Sequence, residues 1–299
     1  LPYRDDVLIA RKSFSEQGMR ERICTLRDIA FGEVDTVVTS ADSLLQLFPK
    51  RELVKKYTVC VKKEDVISPQ SLADKLALAG YKRQAMVADA GDFSVRGDIV
   101  DVCDVSGVAY RINFFDELVE NIKVIDVETM LASNEVERVS FAPTSDILLD
   151  EKGYDYARER LSLYPENKNA QQAKELLSVG ACDSSAVWAL PFLKNCTSNV
   201  FDFFDDDRPT LVIFDEPRVV SDKLQILEKE FSGRIKTLCE GGEILDEHKD
   251  VCISLHEVKR QLIFVRKMGF ASLSLDNRLF EPKYIIEPKT RPVTKYYLD

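Results

Sequence analysis

Three runs decide the fold of the middle of this chain: I-V-D-V-C at 99–103, V-A-Y-R-I-N-F-F at 108–115 and V-E-N-I-K-V-I-D at 119–126. Each is rich in β-branched and aromatic residues, and the segments between them, D-V-S-G (104–107) and D-E-L (116–118), are too short to hold a helix. Strands joined so closely pair antiparallel, which predicts a meander. Upstream, 57–61 predicts a further strand, and Ser68-Pro69 opens a capped helix that stops at Gly80. Residues 57–144 therefore read as a compact α+β domain.

Side chains alternate along a strand, so Val108, Tyr110, Ile112 and Phe114 share one face of the second run and Ala109, Arg111, Asn113 and Phe115 the other. The first set is the expected core face. The second pairs an arginine with an aromatic ring, the combination that protein interfaces favour. The alternative is that Phe115 packs under a helix and Arg111 meets Asp116 or Glu117; spacing alone leaves both open.

Working outward, 20–30 carries Ile23, Leu26, Ile29 and Ala30 at helical steps, with Met19 before them and Gly32 as the stop. D-T-V-V-T (35–39) predicts a strand, and Ser40 caps a helix over 41–48 before Pro49. This is a parallel α/β layer that starts in mid-pattern. On the other side, 154–163 and 170–177 predict helices, T-L-V-I-F (210–214) an apolar strand that runs into Asp215-Glu216-Pro217, and 221–231 a helix. A lysine-rich tail with Pro282, Pro288 and Pro292 reads as linker-like.

The 299 residues carry 41 Lys and Arg against 51 Asp and Glu, a net charge of −10, which argues against broad phosphate neutralisation. Arg4, Asp5 and Asp6 precede any apolar run, unlike a signal peptide, and no apolar stretch is long enough for a membrane span. The seven cysteines never fall as C-x-x-C, so they read as small core residues of a reducing cytosol, not as a zinc site or disulfide framework. His248 and His256, in charged surroundings, read as surface residues.

Asp215-Glu216 after an apolar strand is the most enzyme-like feature, since P-loop ATPases use such carboxylates on Mg²⁺ and water. None of the twelve glycines precedes a lysine, so no phosphate-cradling loop is present, and a buried strand ending in acidic turn residues is favoured. Asp205-Asp206-Asp207 and the pair Glu240 and Glu243 read as solvated turns. The Arg-Gly-Asp tripeptide at 96–98 heads a strand and is set aside as an adhesion motif.

G-D-F-S-V-R-G-D-I-V-D-V (91–102), Y-R-I-N-F-F-D-E-L-V-E-N-I (110–122) and D-V-E-T (126–129) resemble the signature shared by UvrB and the N-terminal region of bacterial transcription-repair coupling factors. R-x-x-T-L-R-D-I (22–29), V-V-T-S-A-D-S-L-L-Q-L-F-P (37–49), S-V-G-A-C (178–182), W-A-L-P-F (188–192), V-F-D-F-F (200–204) and I-F-D-E-P-R (213–218) follow in the family's order. The coupling-factor branch is the nearer, because UvrB carries an intact nucleotide loop and continues its acidic strand as D-E-S-H where this chain has D-E-P-R. The alternatives are a UvrB-like excision-nuclease fragment and a generic α/β interaction module.

The resemblance implies an α/β fold: a partial RecA-like (P-loop NTPase-like) parallel-sheet domain over 1–57, an inserted α+β UvrA-interaction domain over 58–144, and a helical and α/β domain over 145–250 that returns to the parallel sheet. A linker-like segment over 251–299 would lead to missing parts. It implies UvrA as partner through Arg96, Arg111 and Phe115, and Asp215 and Glu216 as a vestigial nucleotide site. No catalytic residue, metal or cofactor is expected here. ATP and Mg²⁺, RNA polymerase and double-stranded DNA would belong to parts of a cytoplasmic parent, an ATP-dependent translocase, that this chain lacks.

Overall fold

The computed structural model describes residues 1–4, 16–204, 209–272 and 278–287. Helix α1 (Glu16–Phe31) buries Ile23, Leu26 and Ala30, which its three- and four-residue spacing puts on one stripe, and it stops at Gly32 in the left-handed region. The 35–39 run, expected as a strand, has no ladder partner among the described residues. Val38 is exposed, and its carbonyl accepts from the Leu1 amino group. Propensity makes such a run extended, but only a neighbouring strand makes it a sheet. The helix expected over 41–48 shrinks to one turn, α2 (Ala41–Leu44), because Phe48–Pro49 leaves it as strand β1 to pair with Thr197–Ser198. Helix α3 (Arg51–Tyr57) then packs on α1 through Leu53 and Val54.

Strand β2 (Val59–Lys62) leads to α4 (Pro69–Leu78), whose Ser68 cap accepts the Ser71 N–H at 3.1 Å. Then come β3 (Lys82–Arg83), β4 (Asp92–Arg96), β5 (Ile99–Cys103), β6 (Ala109–Phe115), β7 (Leu118–Ile125) and β8 (Ala132–Val136). They form one six-stranded sheet in chain order, with β3 parallel to β4 and every other pair antiparallel. Strand β9 (Arg138–Phe141) returns to pair with β2.

Alternation gives this sheet a dry inner face of Phe93, Val100, Val102, Ile112, Phe114, Val119 and Ile122, in one core with Leu72 and Leu76 of α4 and Phe141 of β9. Tyr110 is half-buried and meets Phe141 edge-on. Val108, expected on the core face, precedes β6 and is exposed.

Beyond, β10 (Leu148–Leu149), α5 (Glu151–Leu161), α6 (Lys168–Leu176) and β11 (Gly180–Ala181) surround a 3-10 stretch, Ser184–Phe192, that buries Trp188 and Phe192. After β12 (Thr197–Ser198), strand β13 (Leu211–Asp215) feeds α7 (Pro217–Glu240), a helix twice as long as the expected 221–231. The segment read as linker-like from 251 contains α8 (Leu255–Leu262) and β14 (Arg266–Phe270), and β14 runs parallel to β13 from Leu211↔Arg266 to Asp215↔Phe270. R-K-M-G-F has no β-branched residue, so pairing with β13, not propensity, makes it a strand.

His248 is buried, contrary to its expected surface position. It tilts onto Trp188, its Nε2–H donates to the Trp188 carbonyl at 3.1 Å, and Nδ1 accepts the Leu245 N–H at 3.3 Å. Cys60 is exposed, whereas Cys103, Cys182 and Cys196 are buried as expected. Among the described residues, no helix is long and apolar enough to cross a membrane.

Candidate protein-interaction face

The outward face of the six-stranded sheet is organised in cross-strand rows. At its base Cys103, Ala109 and Ile125 form a small apolar cluster with Val87. Above it the register aligns Ser94, Asp101, Arg111, Lys123 and Glu135, one residue from each of β4 to β8. The next row holds Arg96, Ile99, Asn113 and Asn121, with the Asn113 amide donating to Asn121 at 2.7 Å. A bulge between Asn113 and Phe114 lets β7 gain a residue, after which Phe115 pairs with Leu118, and Leu118 bridges to Val66. Phe115 is 75% exposed and Val66 76% exposed, so the top of the face is an apolar tip of three side chains, one row past Asn113 and Arg96.

Asp101 holds the centre. Its carboxylate is fully buried and accepts from Arg111 twice, Nε on Oδ1 at 2.7 Å and Nη2 on Oδ2 at 3.0 Å, and from Arg96 Nη2 on Oδ2 at 2.5 Å. Arg111 also reaches the Met130 carbonyl at 3.5 Å. The hydrogen bond to Asp101 raises the Arg111 pKa above its ordinary value, against the cost of its partial burial. Two guanidiniums on one carboxylate leave a local excess of one positive charge, on a segment (58–142) with nine basic and fifteen acidic side chains. A planar fork fixed in this way can pair bidentately with a partner's carboxylate.

Both open alternatives for the 108–115 strand resolve here. Phe115 lies under no helix, and the carboxylate that Arg111 meets is Asp101, not Asp116 or Glu117. The structure thus brings Arg96, Arg111 and Phe115 onto one face. Asp101, Leu118 and Val66 were missed. The alternation I-V-D-V-C would have put Asp101 outward, but only the strand register puts it beside Arg111.

Asp215 ends β13, which pairs with β14 in a separate two-stranded sheet, and Glu216 follows it. Glu216 turns the chain from β13 into α7 with φ of 51°, donates its N–H to the Phe270 carbonyl and accepts the Ser272 N–H on Oε1 at 2.8 Å. Those bonds from Ser272 pull its pKa down. Glu240 and Glu243 flank the turn after α7, and Asp205, Asp206 and Asp207 lie outside the described residues. Among the described residues, no three metal-ligating side chains converge.

The family model described as "UvrB interaction domain" matches residues 59–146, from the start of β2 to the carboxylate that follows β9. Over residues 59–146 the chain is similar to that family. The whole chain is similar to proteins named transcription-repair-coupling factor. One from Staphylococcus epidermidis is 24% identical across 99% of this chain and 26% of the relative. Another, from Staphylococcus aureus, is 25% identical across 81% of this chain and 22% of the relative. The chain thus spans about a quarter of the length of these curated relatives.

Proposed function

We propose that this chain is the UvrA-recruiting module of a transcription-repair coupling factor, acting in transcription-coupled nucleotide excision repair. The observation that carries the reading is the solvent-facing cluster of Arg96, Arg111 and Phe115 on the interaction domain, which has no structural duty that would require an exposed phenylalanine. Charged forks beside an apolar tip give a partner both an anchor and an orientation. The match to the UvrB interaction domain and the names of the relatives support the same reading.

In this reading residues 1–57, together with the parallel pair β13 and β14, belong to a partial RecA-like layer, and Asp215 and Glu216 are a vestigial nucleotide site. Glu216 spends its carboxylate on Ser272, which fits a structural turn. ATP-driven translocation on double-stranded DNA and displacement of stalled RNA polymerase are assigned to other parts of a longer parent. Localisation with the repair machinery in the cytoplasm follows from the role.

Co-elution of the chain with UvrA on size exclusion tests the proposal. The complex forms without ATP, the chain itself hydrolyses none, and the double substitution Arg111→Ala plus Phe115→Ala abolishes co-elution. Binding that survives this pair would remove the site assignment, and measurable ATP turnover by the chain would favour a UvrB-like enzyme fragment.

A further inference from the structure

Asp101 lies beneath the two arginines, and the proposed recognition does not use it directly. A carboxylate buried in the middle of a sheet is costly unless its oxygens are fully paired. Here the hydrogen bonds that reach it among the described residues all come from Arg96 and Arg111. The geometry of the row explains how it serves both. Arg111 is its direct cross-strand partner, whereas Arg96 pairs with Ile99 and reaches Asp101 along the diagonal. On the β4 side the opposing residue is Ser94, a small side chain whose buried hydroxyl makes no hydrogen bond, so it leaves Oδ2 to be shared by Arg96 and Arg111.

We infer that Asp101 is a positioning residue for UvrA binding: it holds the Arg96 and Arg111 guanidiniums in one fixed pair of planes, with their remaining N–H donors turned to the solvent side. This rests on the reading of this face as the UvrA surface. Arginine has five N–H donors; Arg111 commits two to Asp101 and one to Met130, and Arg96 commits one. Among the described residues the others meet no acceptor and stay available to a partner's carboxylates. Without Asp101 both long side chains would have to be ordered at the moment of association, which weakens binding even though a negative charge has been removed.

Asp101→Asn keeps the shape and removes the charge. In the full chain, its affinity for UvrA is expected to fall about tenfold or more, and the same substitution added to Arg96→Ala plus Arg111→Ala is expected to change nothing further, because Asp101 acts through those two residues. A purely structural role would instead lower binding equally in both backgrounds. The second readout is the ¹⁵N-detected Nε–Hε signal of Arg111. In the unaltered chain it exchanges with water roughly tenfold or more slowly than exposed arginines, and in Asp101→Asn it moves to their position and rate. Should Asp101→Asn not fold, the exchange rate in the unaltered chain still decides whether the guanidinium is held. Affinity within about twofold of the unaltered chain, or Arg111 exchanging like an exposed arginine, overturns the inference. If the unaltered chain fails to bind UvrA, the functional reading falls and takes this inference with it; if it binds and Asp101→Asn binds equally, only the positioning role falls.

Discussion

Asp101 and Asp146 show what a single carboxylate does in two settings. On the outward sheet face Asp101 steadies partly exposed arginines, so Arg111→Ala is expected to cost about 2 kcal/mol or more of UvrA affinity, measured by calorimetry, and to lower the melting temperature as well, because it leaves the buried Asp101 carboxylate with Arg96 alone. Arg111→Lys should not restore it, since an ammonium cannot reproduce the two-pronged contact with Asp101. Asp146 is different: it is buried between Arg4 at 2.6 Å and Arg22 at 2.5 Å, tying the first residues and α1 to the end of the interaction domain. Burial pushes its carboxyl up, but the two guanidiniums outweigh that and hold it well below the usual carboxylate range. Its contribution is therefore complete above the unfolded carboxylate range and is lost as pH falls below about 4. Asp146→Asn leaves two buried cations without their anion and should cost about 3 kcal/mol or more in chemical denaturation, with a flatter acid limb than the unaltered chain.

At the scale of elements, the close approach of β11 to the end of α4 rests on Gly180. Its φ is 106°, and a Cβ there would lie 2.2 Å from the Leu78 carbonyl oxygen. Gly180→Ala should destabilise the chain by more than about 1 kcal/mol, read as a drop in melting temperature. The two 3-10 stretches Ser184–Phe192 and Asp246–Val251 are joined through His248, whose pKa burial lowers to about 4 despite hydrogen bonds to Leu245 and Trp188. A depressed folded pKa means stability that is whole above about pH 6.5 and drains as pH falls toward 4, and His248→Phe should flatten that part of a melting-temperature profile. These elements also mark where sequence reading succeeds. The 108–115 strand was legible because period two separates Ile112 and Phe114 from Arg111 and Phe115. His248 was not, because D-E-H-K-D looks solvated until a 3-10 turn buries one position of it. Strand β14 and the unpaired 35–39 run depend on partners distant in sequence, and composition alone does not report partners.

At the scale of the molecule, a sheet with one dry face and one patterned face is packed against flanking helices by its inner side, leaving the rows from Arg96 to Phe115 outward. Pairing register, bulge and buried carboxylate all converge on that face, and an acidic net charge makes its local basic pair more distinctive. The resemblance implied Arg96, Arg111 and Phe115, which the fold sets on one face, and the fold adds Asp101, the residue that binds two of them together. The most direct test is the dissociation constant for UvrA of the unaltered chain beside the Arg111→Ala plus Phe115→Ala chain, both shown to be folded by circular dichroism. Saturable binding is expected for the first and loss of about a hundredfold or more for the second; equal binding by the two, or none by the first, would contradict the proposed role of this face.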